Sequence, residues 1–202
     1  MFSAELLTDR LKTEFLGREI NYQPKTNSTN EDAWRYFING SPDGTLMITD
    51  DQQYGRGRRK NKWVSTPDKS LTISFMLHPK TGLDQLGLLP LLTGISIVEG
   101  IQSSASIETG LKWPNDIMLN KKKMGGILIE SRTTQKGLGV VVGIGLNINE
   151  TVQDIPNLLK DQATSLSIYS GEKYIIELIL ANILNEFEQL YLKQWGTIIS
   201  IW

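Results

Sequence analysis

The sequence predicts an α+β fold, a mixed sheet flanked by helices, with several hairpins in place of a strict β-α-β alternation. Three observations carry this. Leu71, Ile73, Phe75 and Leu77 alternate through residues 70–77 with the period of a half-buried strand. Ile175, Leu178, Ile179, Ile183, Phe187, Leu190 and Tyr191 recur at helical spacing through residues 174–195. Between these, short apolar runs are separated by turn residues at intervals suited to hairpins.

Taken in order, Leu6, Leu7, Leu11 and Phe15 predict a helix over residues 3–16 with Ser3 as N-cap. Residues 18–23 read as a strand ended by Pro24. A helix over residues 30–38 stops at Asn39-Gly40. Residues 45–49 form a buried strand leading into a glycine- and arginine-rich loop. The apolar run of residues 86–104 is a core helix by its length; its most apolar part, 86–98, is too short to span a bilayer. Residues 111–113 and 117–119 are short strands around a Pro-Asn-Asp turn, and Lys121-Lys122-Lys123 turns the chain into a strand over 126–130. Residues 138–147 make a glycine-punctuated strand, and its edge is available to a homodimer.

The 202 residues suffice for a substantial core in one domain. A net charge of −1 argues against a dedicated nucleic-acid binder. With no cysteine, thiolate nucleophiles and cysteine-ligated metals are excluded, and the single histidine, His78, rules out multi-histidine metal sites. No cationic segment followed by an apolar one opens the chain, so a cytoplasmic protein without a membrane partner is expected.

Against this neutral background, residues 52–63 (Gln-Gln-Tyr-Gly-Arg-Gly-Arg-Arg-Lys-Asn-Lys-Trp) stand out. Gly55 and Gly57 let backbone N–H groups approach an anion, and Arg56 and Arg58 bring planar forks matched to carboxylate and phosphate. The bland alternative is a solvated basic turn, but two convincing strands flank the segment. Ser28-Thr29-Asn30-Glu31 fits a capping box, Ser28 accepting from the helix backbone and Glu31 reaching back; the same helix start can present polar groups to a ligand. Lys112-Trp113-Pro114-Asn115-Asp116 sets a cation, an amide and a carboxylate on a rigid turn, which also reads as a plain turn with a snorkelling lysine. Lys123 lies beside Gly125-Gly126, nearest of its lysine run to a prospective site. Gly143-Ile144-Gly145-Leu146-Asn147 is a strand end where small residues admit a flat ligand such as adenine, or a bulge or close backbone contact. P-loop and Rossmann nucleotide motifs do not occur.

In this order, Ser28–Asn30, Gln52–Trp63, Lys112–Asp116, Lys123–Glu130 and Gly143–Asn147 resemble the biotin protein ligases over residues 20–195. The resemblance implies a catalytic domain akin to class II aminoacyl-tRNA synthetases and lipoate ligases. It implies that biotin attacks the α-phosphate of Mg-ATP to give biotinyl-5′-AMP, and that a lysine of a biotin carboxyl carrier domain takes the biotinyl group. Ser28, Thr29, Asn30, Gln52, Arg56, Gly57, Arg58, Lys123 and Gly126 would bind biotin; Arg58, Trp63, Lys112, Asn115 and Asn147 would bind ATP. Arg58, Lys112, Asp116 and Lys123 would carry the chemistry, with Asp116 a magnesium contact. A lipoate or octanoate ligase, and a biotin-binding protein with impaired catalysis, are the alternatives.

The sequence departs from this family at Lys60, where the loop usually has glycine, and at Asn61, commonly basic. Lys60 would disfavour a left-handed backbone there. The 27 residues before Ser28 are too few for the DNA-binding domain of repressor-type members, so no nucleic-acid partner is expected. Residues 1–195 would be the catalytic domain, and 196–202 a truncated or vestigial start of a C-terminal β-barrel.

Overall fold

The computed structural model of the chain describes residues 2–79 and 83–199. Seven strands form one mixed sheet: β1 (Ile20–Thr26), β2 (Leu46–Gln52), β5 (Ser70–Leu77), β9 (Gly137–Asn147), β8 (Lys122–Thr134), β7 (Asp116–Leu119) and β6 (Gly110–Lys112), in that spatial order. Only β1 and β2 pair in parallel. A two-stranded ribbon, β3 (Gly55–Arg56) with β4 (Lys62–Trp63), stands apart from the sheet. The helices are α1 (Ala4–Thr8), α2 (Thr29–Ile38), α3 (Leu89–Ala105), α4 (Leu166–Ser170) and α5 (Ile176–Ile199).

The expected strand over 70–77 is present, but it is central and buried on both faces. Its apolar half, Leu71, Ile73, Phe75 and Leu77, joins the main core with α3 and α5. Its other half looks toward α2 and toward the site: Met76 packs with Trp34, Phe37, Met47 and Val141, and Ser74 donates to Asn30 Oδ1 at 2.6 Å. The polar positions of this alternation therefore mark a functional face, not solvent. Strand β9 is no edge: β5 and β8 pair with it on either side, so it offers no edge to a homodimer.

Three boundaries differ from expectation for local reasons. Strand β1 runs through Pro24, because β1 is an edge strand and Pro24 falls where no ladder hydrogen bond is required. The turn after β7 consists of Asn120 and Lys121, both left-handed, so Lys122 and Lys123 already belong to β8. The N-terminal helix ends at Thr8 instead of residue 16. Beyond it, backbone N–H groups bond to α5 side chains: Lys12 to Asn185 Oδ1 at 2.7 Å, Glu14 to Glu188 Oε1, and Phe15 and Leu16 to Glu188 Oε2 at 3.1 and 2.8 Å.

Residues 86–105, longer than the apolar part singled out in the sequence, are long and apolar enough by composition to cross a membrane. In this fold α3 is a core helix: Leu89, Leu92, Ile97 and Ile101 are buried, and Gly100 lies against Ile183 of α5. Helix α5 continues through residues 196–199, the segment expected to open a barrel; residues 200–202 lie outside the described residues.

Glu188 is 3% exposed and accepts from three backbone N–H groups of the N-terminal segment. Glu188→Ala should lower the unfolding free energy by about 2–4 kcal/mol, read from urea melts. An unchanged melt would show that these contacts contribute nothing net.

Candidate active site

Two loops and two strand ends converge beside α2 on a cavity of about 550 Å³. Its walls include Ser28, Thr29 and Asn30 from the start of α2, Gln52 from the end of β2, and Arg56, Gly57, Arg58, Arg59, Asn61, Lys62 and Trp63 from the ribbon loop. Asn115 and Asp116 enter from the turn before β7, Lys123 and Gly126 from β8. A second cavity of about 690 Å³ shares Asn61, Lys62, Trp63, Asp116 and Lys123 with the first, and adds Lys112, Asn147 and Glu150. The expected biotin residues thus line the first cavity. Of the expected ATP residues, Arg58 and Asn115 line only the first, Lys112 and Asn147 only the second, and Trp63 both.

Ser28 occupies the N-cap of α2 with extended backbone, yet its side chain makes no capping bond. The capping-box expectation therefore fails. Glu31 does not reach back; its carboxylate lies 3.9 Å from Arg56 Nε. The helix start is held instead by Gln52, whose Oε1 accepts from the Thr29 N–H at 2.9 Å and from the Thr29 hydroxyl at 3.3 Å.

The ribbon loop is tied at its base and its tip. Gln53 and Tyr54 donate their N–H groups to the carbonyls of Thr26 and Asn27, and Gly57 N–H bonds Asn61 O. The left-handed residue of the loop is Arg59 (φ 54°, ψ 37°), not Lys60. The steric objection to a side chain at 60 does not apply to this conformation.

The glycines of β9 serve neighbouring side chains. A Cβ on Gly143 would collide with the Asn30 carboxamide, and one on Gly145 would stand 2.5 Å from Trp63 Cε2. They admit Asn30 and the Trp63 indole, and both also line the first cavity. Trp63 Nε1 and the Thr72 hydroxyl are both buried without a partner, and Thr72 pairs in register with Gly145.

Cations dominate the first cavity: Arg56, Arg58, Arg59, Lys62 and Lys123 face a single carboxylate, Asp116. Asp116 Oδ1 accepts from Lys123 Nζ at 2.6 Å. A register shift between β7 and β8 sets Lys123 opposite Met118 and Gly126 opposite Asp116, the kind of irregularity that re-aims a strand side chain. Lys123 is fixed further by backbone bonds, its N–H to Gln162 O and its carbonyl from Thr164 N–H. Among the described residues no group of three or more His, Asp or Glu side chains is disposed to hold a metal. Asp116, the carboxylate expected to contact magnesium, is paired with Lys123 in this structure.

Sequence reasoning gave no role to Glu130 or Glu150. Glu130 Oε2 accepts from Asn30 Nδ2 at 2.9 Å, Arg56 NH2 at 3.2 Å and Trp34 Nε1 at 3.3 Å. Only its place within the motif Ile127–Glu130 pointed toward it. Glu150 is 1% exposed; Ser70 Oγ donates to its Oε1, and its Oε2 has no partner. Burial pushes its carboxyl up to about 7, with nearby Asp154 adding to the rise and the Ser70 hydrogen bond opposing it. Asp154 itself is held down at about 2 by Lys69, 2.6 Å away, and by the Thr151 N–H and hydroxyl.

A mixed sheet flanked by helices, carrying a cationic cavity that shares a wall with a second one, is the class of domain these residues define. The model of the Biotin/lipoate A/B protein ligase family matches residues 20–147, and the chain belongs to that family. It is 41% identical over 182 residues to the bifunctional ligase/repressor BirA of Bacillus spizizenii, across 90% of this chain and 56% of the relative. It is 29% identical over 143 residues to the biotin--[acetyl-CoA-carboxylase] ligase of Mycobacterium tuberculosis, across 68% of this chain and 52% of that one. The biotin protein ligase of Aquifex aeolicus in complex with biotin and ATP superposes with a TM-score of 0.77 at 31% identity, covering 89% of this chain and 72% of that one. The chain spans about half the length of the two sequence relatives.

The raised Glu150 value gives a pH signature. The contribution to stability is fully present below about pH 4.5, the ordinary value, and is lost as pH rises through about 7. Glu150→Gln should therefore match the wild type near pH 4.5 and exceed it by up to about 3 kcal/mol at pH 8, read from urea melts across that range. A constant difference across pH would contradict it.

Proposed function

We propose that the protein is an ATP-dependent biotin–protein ligase: it joins biotin to AMP, then passes the biotinyl group to a lysine of a biotin carboxyl carrier domain. The observation that carries this is a pair of cavities with Lys123, Asp116 and Trp63 in the walls of both, one lined by the expected biotin residues and the other by Lys112 and Asn147. Two anionic substrates entering from either side would meet at a cation. Relatives named for biotin ligation, and a structural neighbour holding biotin and ATP, support the same reading.

In this scheme the ring end of biotin rests against Ser28, Thr29, Asn30 and Gln52, and its carboxylate points at Lys123. ATP, arriving as its magnesium complex, sets its base toward Trp63 and Asn147 and its phosphates toward Lys112 and Lys123. A carboxylate oxygen attacks the α-phosphorus, and the bond to pyrophosphate breaks. Two anions repel on approach and the transition state gathers negative charge, so pre-set cations lower its energy more than that of the separated substrates. Lys123 leaves Asp116 as the substrate carboxylate arrives, which returns a carboxylate to the site. Asp116 is then placed to accept the proton of the incoming ammonium when the carrier lysine attacks the mixed anhydride and AMP departs. Arg58, which has no carboxylate partner among the described residues, closes over the adenylate and keeps water from it.

The test is biotin-dependent exchange of labelled pyrophosphate into ATP, followed by labelling of a carrier domain. Labelling with lipoate in place of biotin would redirect the assignment, and biotin binding without exchange would leave a binding protein. Arg58→Ala should release biotinyl-AMP about 10- to 100-fold faster with an unchanged melting temperature. A lowered melting temperature with normal adenylate retention would make Arg58 a structural residue instead.

A further inference from the structure

We infer that Glu130 is a positioning residue that latches the ribbon loop and fixes the polar wall of the first cavity, an inference that rests on the adenylation reading above. Glu130 does not line the first cavity; it lies on the other side of the loop, lining a third cavity of about 750 Å³ together with Arg56 and Trp63. The loop thus has open space on both sides and packs onto the sheet through Trp63 at Gly145, while the segment from Arg56 to Lys62 lies between the two cavities. What crosses that space from the sheet to the loop is the pairing of Glu130 with the Arg56 guanidinium, 3.2 Å long, with Glu31 contributing a second, more exposed carboxylate at 3.9 Å.

The same carboxylate oxygen controls Asn30. Asn30 Nδ2 donates to Glu130 and Asn30 Oδ1 accepts from Ser74 Oγ. Both ends of the amide are therefore committed, and it cannot flip without leaving Glu130 facing an oxygen. Trp34 donates its Nε1–H to the same oxygen, and the Arg132 guanidinium stacks 4.4 Å from the Trp34 ring centroid. One atom of Glu130 thus joins the helix that starts at the cavity, the loop that covers it and the strand beneath both. Arg56 and Asn30 both line the first cavity, so any change at Glu130 reaches the ligand through them.

The partners dictate the test. Glu130→Gln keeps an acceptor for Asn30 and Trp34 but removes the charge that holds Arg56. It should raise the KM for biotin and the release rate of biotinyl-AMP by about 5-fold, while leaving the transfer rate from saturated adenylate to the carrier domain unchanged. Trypsin, added without ligands, should cut the loop between Arg56 and Lys62 faster by a similar factor. In a double-mutant cycle, Glu130→Gln should add nothing to Arg56→Met in either readout. Glu130→Asp keeps the charge and should fall between wild type and Glu130→Gln; it also serves the same readouts should the Gln variant fail to fold. Additive effects of the two substitutions, or wild-type loop cleavage in both Glu130 variants, would overturn the latch. Because cleavage requires no catalysis, a latch that fails is distinguishable from an adenylation reading that fails: the latter shows as absent pyrophosphate exchange in the wild type.

Discussion

Two missing methyl groups on β9 make the site what it is. At Gly143 the sheet lets the Asn30 carboxamide settle onto its backbone, and at Gly145 it lets the Trp63 indole do the same. Asn30 opens α2 and Trp63 closes the ribbon loop, so two segments more than 30 residues apart are seated on three consecutive residues of one strand. That strand is paired on both sides and is almost entirely buried, which makes it a rigid reference for everything placed on it. Ser74, across the ladder from Gly143, completes the seat by donating to Asn30.

Upon this seat the charges divide their labour. Arg56 faces Glu130 and Glu31, and Lys123 faces Asp116; these cations are already compensated before a ligand arrives. Arg58 is not. Exposed ion pairs are individually weak, so the compensated cations can exchange partners at small cost, whereas an uncompensated one draws its partner from solution.

Much of this was legible in the sequence, because period and composition are local. The alternation in Ser70–Leu77, the start of α2, the paired short strands around Pro114 and the long apolar face of α5 each announce themselves within a few residues. Most of the motif residues also meet at one cavity. What was not legible depends on distant partners. The helix expected through residue 16 yields to side chains of α5, and the cap expected of Ser28 is set aside because Gln52 holds the helix start. The glycines near Ile144 looked like room for a ligand, and only the fold reveals that a tryptophan and an asparagine use it. Glu130 carried no signal of its own, because its importance lies in which three donors the fold brings to one oxygen.

The bond between the N-terminal segment and α5 has a consequence for how the chain is made. Glu188 and Asn185 reach back across 172 to 174 positions to satisfy the backbone of residues 12–16. During synthesis every strand of the sheet is made before either side chain. The sheet and its ligand cavity can pair from neighbours already present, while residues 12–16 wait for α5. A chain arrested before α5 would carry its binding residues on an unclosed core.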